Sequence, residues 1–346
     1  MQKIDIVYLW VDGSDKKWLA EKNKWLKKLF NITNTNADAE RYRDNGELKY
    51  SLRSIEKYIP WVNHIYIITD FNQVPKWLNT KNKKITIIQH SDIMPAKIRP
   101  TFNSNTIEMC LHNIPNLSEQ FLLLNDEVFF NRPLSPRFFF DKRGRTRTMF
   151  CSKHPQKNID KWLESSDNYT STIIRSAKLI DDIYGKKMYK YSPSHGIDPY
   201  LKSSWIECRN HPLIKKHIDK NIHNKFRTST ELQRWLFTLY AAANKCGKLY
   251  RSRPHKSSRH KILDFIYNTL HWYKTSKSSY VCPCVLGHEK SLKKCAIFCI
   301  NDSDENTPEM LRANINYLET RFPNKSEFVK LTAIAVFFIL FYNAFL

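Results

Sequence analysis

Glycine is scarce in this chain, with seven residues in 346. No G-x-G-x-x-G or G-x-x-x-x-G-K-[ST] run occurs, which removes the main support for a dinucleotide-binding turn or a P-loop. A secretory leader pattern is missing too. The opening MQKIDIVYLWVDGSD places an acid at Asp5 and offers no small-residue cleavage site, so the N-terminus is expected to be cytoplasmic. The 8 cysteines stand singly except near the C-terminus, as expected of a reducing compartment rather than a disulfide framework. Acids are few: 33 Asp and Glu against 56 Lys and Arg give a net charge of +23, which calls for an anionic partner. Nucleic acid, an anionic membrane face and phosphorylated sugar polymers all satisfy that demand. No RNA- or DNA-binding module is recognisable, so a basic nucleic-acid-binding protein rests on charge alone.

Long hydrophobic runs are missing until the very end. Residues 331–346 (LTAIAVFFILFYNAFL) carry no charged side chain. As a helix they reach about 24 Å, short of the roughly 30 Å needed to span a bilayer. Peripheral membrane contact, with Lys325 and Lys330 at the polar end, is expected ahead of a C-terminal core helix.

What the chain does have is apolar content, at 42%, and aromatics, at 13%, enough to exclude a disordered protein. From Arg41 to Pro133, three apolar runs each end in a carboxylate: HIYIITD at Asp70, KITIIQHSD at Asp92 and FLLLNDE at Asp126 and Glu127. Such runs read as buried strands, joined by IDIVYLWV (Ile4 to Val11) at the start and AIFCI (Ala296 to Ile300) near the end. Helical periodicity between them, as at Leu48, Leu52, Ile55 and Ile59 before Pro60, argues for an α/β fold with a mainly parallel sheet flanked by helices. Residues 160–182 and 230–244 add a helical region in the C-terminal half. One catalytic domain is expected over residues 1–330. Within it, 1–140 form the nucleotide-sugar and metal-binding core, 141–290 an acceptor-side region, and 291–330 a returning strand and helix.

Ligands gather outside the carboxyl ends of strands in such sheets. Asp126 and Glu127 are therefore the first candidates for a hard divalent cation, with Asp302 after AIFCI able to join them across the sheet. Arg41, Arg43 and Asp44 in RYRDNGEL open a helix whose N-terminus favours anions, and two arginines there make a diphosphate clamp. Asp44 and Asn45 are the expected caps of that helix. Glu108, placed four residues before His112, reads equally as an orienting carboxylate or a surface acid. Cys282, Cys284, His288, Cys295 and Cys299 invite zinc, although C-P-C is not the usual ligand spacing.

These blocks resemble the Stealth family of sugar-phosphate transferases, which includes bacterial capsular polysaccharide phosphotransferases and the catalytic part of animal N-acetylglucosamine-1-phosphotransferase. The similarity lies in IDIVYLWVDGSD, in RYRDNGELKYSLRSIEKYIPWVNHIYIITD through LSEQFLLLNDEVFF, in SHGIDPY with NKFRTSTEL, and in FCINDS. The resemblance implies a GT-A-like core dependent on Mg²⁺ or Mn²⁺. It implies transfer of a sugar 1-phosphate from a UDP- or CDP-linked donor to a hydroxyl of an anionic capsular polysaccharide or oligosaccharide, releasing UMP or CMP. Carried onto this sequence, the family's active-site acids fall on Glu108, Asp126 and Glu127, its histidine on His195 and its phosphate-contacting arginine on Arg227. Asp12 and Gly13, with Arg41, Arg43 and Asp44, are implied to face the nucleotide, and Arg175 to contribute. Two departures stand out: Asp126-Glu127 where the family has two aspartates, and HGIDPY where it has a His-x-Pro pattern. The basic surface and apolar tail then fit work at the inner face of the cell membrane. An ordinary GT-A glycosyltransferase, releasing a nucleoside diphosphate, is the rival.

Overall fold

The computed structural model describes residues 2–31, 39–153, 163–164, 166–194, 196–251, 277–282, 284–303, 305–323 and 326–330. His195 and the tail 331–346 therefore lie outside the described residues. The strands are β1 (Ile4–Leu9), β2 (Ile65–Thr69), β3 (Ile85–Gln89), β4 (Gln120–Leu124), β5 (Val128–Phe130), β6 (Thr146–Lys153), β7 (Tyr191–Pro193), β8 (Asp198–Leu201), β9 (Gly247–Arg251), β10 (Lys277–Cys282) and β11 (Cys295–Ile300). The helices are α1 (Lys16–Phe30), α2 (Glu47–Tyr58), α3 (His90–Ile93), α4 (Ser104–Glu108), α5 (Asn168–Tyr184), α6 (Lys202–Asn210), α7 (Pro212–Asn221), α8 (Trp235–Ala243), α9 (Glu289–Leu292) and α10 (Pro308–Arg321).

The main sheet runs β3-β2-β1-β4-β8, parallel throughout except for β8, which closes the edge antiparallel to β4. Successive side chains point to opposite faces. Ile4, Ile6 and Tyr8 of β1, with Leu122 and Leu124 of β4, enter one core with α2, β5 and β11. Val7, Phe121 and Leu123 enter a second core built by α5 to α8. Both faces are covered, which is why these strands read as nearly continuous apolar runs. The strand order reverses between β1 and β4, and at such switch points ligands gather outside the carboxyl ends of the strands.

The strand expected to end at Asp126 and Glu127 ends at Leu124, and Val128–Phe130 beyond the acids form a second strand. β4 stays in the main sheet, the chain turns at Asn125–Glu127, and β5 pairs with β11 in the smaller sheet β10-β11-β5. Small serines on α2 make the crossing. Ser51 Oγ donates to Val128 O at 2.6 Å and lies 2.6 Å from Tyr8 OH, while Ser54 Oγ accepts from Phe130 N–H at 3.0 Å. Consequently the acids sit where the chain leaves one sheet for another.

The start of α2 also differs from expectation. Gly46, at φ 84°, is the N-cap, and Asp44 Oδ1 accepts its N–H at 2.9 Å. Asn45 is occupied elsewhere, by Glu47 and Asp302. Leu48, Leu52, Ile55 and Ile59 are all buried, as their spacing requires. α10 is tied across α2 by Arg53, whose guanidinium donates to Phe322 O at 2.9 Å and to Glu319 at 3.2 Å. The helix expected over 230–244 begins later, at Trp235, because the residues before it are drawn into contacts with α4 described below.

Candidate active site and metal centre

At the end of β1, the Asp12 backbone is clasped by the Gln73 side chain, which accepts from Asp12 N–H at 3.0 Å and donates to Asp12 O at 2.9 Å. The Asp12 carboxylate accepts from Ser14 N–H and Oγ at 2.9 and 2.6 Å, so it shapes its own turn. Gly13 N–H donates to Tyr42 O at 2.9 Å, and a Cβ at Gly13 would lie 2.3 Å from that oxygen. Only glycine permits this approach, and the approach holds the Arg41–Asp44 segment against the end of β1. Asp70 and Asp92, the other strand-end acids, are structural. Burial would raise the Asp70 carboxyl, but His90 Nδ1 at 3.0 Å and neighbouring donors hold it below the usual range. Asp92 caps α3 by accepting from Gln89 N–H at 2.8 Å.

Asp44, Glu47 and Asp126 converge: one oxygen from each lies within 4.8 Å of the others, and among the described residues they are the His/Cys/Asp/Glu group that could hold a metal ion. Their electrostatics are adverse. Burial raises the Asp126 carboxyl well above its ordinary value, and Glu127, Glu47 and Asp44 push it further. Glu47 is pushed up to about 7, again by burial first, with Asp44 adding to it. Asp44 is raised by burial and by Asp12. Half-buried carboxylates that repel one another, all oxygen donors, fit a hard cation such as Mg²⁺ or Mn²⁺. Asp302 stands one step further out. It accepts from Arg43 at 3.0 Å and from Asn45 Nδ2 at 3.2 Å, and that same amide donates to Glu47 at 2.9 Å. Glu127 accepts from Asn125 Nδ2 at 2.9 Å. Arg41 lies exposed on the short turn before Arg43.

A second cluster is built on Arg234, just before α8. Its guanidinium donates to Glu108 at 3.2 Å, Asp198 at 3.1 Å and Asn125 Oδ1 at 2.9 Å. Burial works against its charge, but Glu108 and Asp198 raise its pKa nonetheless. Asn125 thus bridges the two clusters, accepting from Arg234 and donating to Glu127. Glu108, left open between an orienting carboxylate and a surface acid, is buried. α4 ends at Glu108, and His112 lies on a separate turn with its pKa lowered to about 4 by burial, Arg209 and Lys202.

Arg227 reaches the opposite end of α4, donating to Ser104 Oγ at 3.1 Å. Ser104 and Glu108 are four apart and share a helix face. The Arg227 loop is sewn down by Glu231, which accepts from Asn103 at 2.7 Å, Asn105 at 3.0 Å and Asn224 at 2.9 Å. Arg175, on α5, donates to Ser229 O at 3.0 Å, so the structure places it with that loop and not at the end of β1. His195 lies outside the described residues, three positions before Asp198. Glu47, Arg234 and Asp198 were missed by sequence reasoning. Glu47 had a signal, a second acid three residues after Asp44 at a helix start; the other two had none. The thiols of Cys282, Cys284 and Cys295 donate to the carbonyls of Cys299, Met310 and Leu292, and Cys282 is pushed up to about 12 by burial, Cys284 and Cys295.

Comparison with known proteins bears on these residues. The galactosyltransferase LgtC, solved with donor and acceptor sugar analogues, aligns distantly, at 11% identity and a TM-score of 0.42 over 93% of this chain and 98% of that one. Among curated relatives, capsular polysaccharide phosphotransferase fcs1 of Haemophilus influenzae is 36% identical over 66% of this chain and 62% of its own length. Capsular polysaccharide phosphotransferase cps12A of Actinobacillus pleuropneumoniae is 46% identical over 66% of this chain and 61% of its own. The chain thus spans about six tenths of the length of those relatives. Capsular polysaccharide phosphotransferase WcwK of Streptococcus pneumoniae is 30% identical over 95% of this chain and 99% of its own. Stealth protein conserved region 1 matches residues 2–29 and conserved region 2 matches residues 41–148, the stretch holding Asp44, Glu47, Glu108 and Asp126. With a full-length relative and both conserved regions in place, this chain belongs to the Stealth family.

Proposed function

We propose that this protein is a hexose-1-phosphate transferase of capsule or exopolysaccharide synthesis. In this reading it moves a sugar 1-phosphate from a UDP- or CDP-linked sugar to a hydroxyl of an anionic capsular polysaccharide or oligosaccharide. The hydroxyl oxygen forms a bond to the phosphorus next to the sugar, the bond to the nucleotide phosphate oxygen breaks, and UMP or CMP leaves. The observation that carries the proposal is the convergence of Asp44, Glu47 and Asp126 at the switch point between β1 and β4.

Asp44, Glu47 and Asp126 would hold Mg²⁺ or Mn²⁺, with Glu127 and Asp302 behind them; the ion's charge would offset that of the donor diphosphate. Every other part falls to the chain. Arg43, paired with Asp302, and Arg41 would engage the donor's phosphate oxygens. Gly13 and the clasped Asp12 turn set the floor on which the nucleotide would rest. Arg227 offsets charge on the phosphorus under attack, and Arg175 supports its loop. Arg234 holds the Glu108 carboxylate in place through their ion pair. His195, close in sequence to Asp198, is the proposed base that receives the proton of the acceptor hydroxyl. Contact of residues 331–346 with the inner face of the cell membrane belongs to the same reading. Among the described residues no helix is long and apolar enough to cross a membrane.

The test is a panel of UDP- and CDP-sugars with Mg²⁺ and a capsular oligosaccharide acceptor. UMP or CMP as product supports the proposal; UDP or CDP would make the protein an ordinary glycosyltransferase.

A further inference from the structure

The connection from β2 to β3 carries Lys76, Lys81, Lys83 and Lys84, all exposed. Beside it lies the last described segment of the chain. Leu78 and Val329 form an antiparallel bridge, Lys330 N–H donates to Trp77 O at 2.8 Å, and Lys330 Nζ donates to Lys76 O at 3.1 Å. The exposed Lys330 therefore joins the same face. None of these lysines forms a salt bridge among the described residues. The acids close by are Glu56 and Glu327, and the Glu56 carboxylate accepts from Glu327 N–H at 2.9 Å. Positive charge is thus in excess here. Lysines can guard a sheet edge such as β3 against pairing. These, however, precede the strand instead of lying along it, and they surround the point where the chain continues into its uncharged apolar tail.

We propose that this face is a docking surface for an anionic lipid bilayer, with Lys76, Lys81, Lys83, Lys84 and Lys330 at the headgroups, an inference that rests on the membrane contact proposed above for residues 331–346. A single weak apolar anchor gives marginal, reversible binding, and a second signal from a polybasic patch makes it stable. The structure places the polybasic patch around Lys330, the last described residue before that apolar segment. Lysines near an anionic surface strengthen binding roughly fivefold each.

The experiment is co-sedimentation of the full chain with phosphatidylcholine vesicles and with vesicles containing phosphatidylglycerol. The expected result is binding to the anionic vesicles, weakened by salt. The variant Lys81→Gln/Lys83→Gln/Lys84→Gln is expected to lose about a hundredfold in affinity while keeping its unfolding temperature. Removing 331–346 is expected to weaken binding to both vesicle types. Equal binding of wild type and triple variant would overturn the proposal, as would indifference to lipid charge. Loss of binding to a soluble anionic polysaccharide, with vesicle binding intact, would assign the lysines to the acceptor and overturn it too. No sugar donor is present, so failure here leaves the transfer chemistry untouched.

Discussion

Two clusters of charge meet at Asn125, and they are built on opposite terms. Around Arg234 the protein neutralises itself: one half-buried guanidinium answers two buried carboxylates, Glu108 and Asp198. Around Asp126 it does not, and Asp44, Glu47 and Asp126 face one another with their affinities for protons all raised. A self-neutralised knot is a scaffold, and its loss is felt as stability. An uncompensated acid cluster is strain in the empty protein that a cation relieves, and its loss is felt as function.

The sharpest way to break the comparison is to remove the acid at its centre. Asp126→Asn is expected to lower sugar-phosphate transfer by about a thousandfold, as loss of a metal ligand and its charge does. Its unfolding temperature without metal should stay level or rise; a large fall would show that Asp126 serves the fold. In the opposite direction, Arg234→Ala leaves Glu108 and Asp198 buried without their partner. A loss of about 3–5 kcal/mol in urea unfolding is expected. Stability equal to wild type would mean that the knot is not a scaffold.

Gly13→Ala tests how the two halves of the donor side are held together. Its Cβ would meet the Tyr42 backbone, which cannot swing away as a side chain would. About 1–3 kcal/mol of destabilisation is expected, read in the same urea titration, with weaker donor binding; an unchanged Kd would detach the Asp12 turn from the nucleotide.

The smallest effect is a pH dependence. Glu47 titrates near 7 in the fold, above the ordinary glutamate value, so folding takes up a proton there. Its contribution to stability is complete below that ordinary value and is lost as pH rises through about 7, and Asp44 and Asp126 act in the same direction. Metal competes with those protons. Addition of Mg²⁺ should therefore raise the unfolding temperature by about 2–4 °C at pH 8 and hardly at all at pH 5, and Glu47→Gln should abolish the difference. An equal rise at both values would place the ion elsewhere.

Much of the site was legible in the sequence because strands end where their apolar runs end. Asp126 and Glu127 could be placed at the carboxyl end of β4, and Arg43 and Asp44 at the start of α2, from local pattern alone. Glu47 was hidden by its position, since an acid in a first helical turn is ordinarily read as complementing the helix dipole. Arg234 was invisible for another reason. It lies 126 residues from Glu108, and a long-range pair of this kind leaves no local periodicity to find. The end of β4 was legible, but the departure of β5 to a second sheet was not, because both halves are apolar. What separates them is Ser51 and Ser54 on α2, whose hydroxyls take the backbone of β5.

Manganese binding followed by electron paramagnetic resonance tests the central claim most directly, because free Mn²⁺ gives a signal that bound Mn²⁺ loses. The wild-type chain at pH 8 should take up one Mn²⁺, and Asp126→Asn and Glu47→Gln should each release it. Titration curves that are the same for all three proteins would contradict the assignment of the Asp44–Glu47–Asp126 cluster as the metal centre.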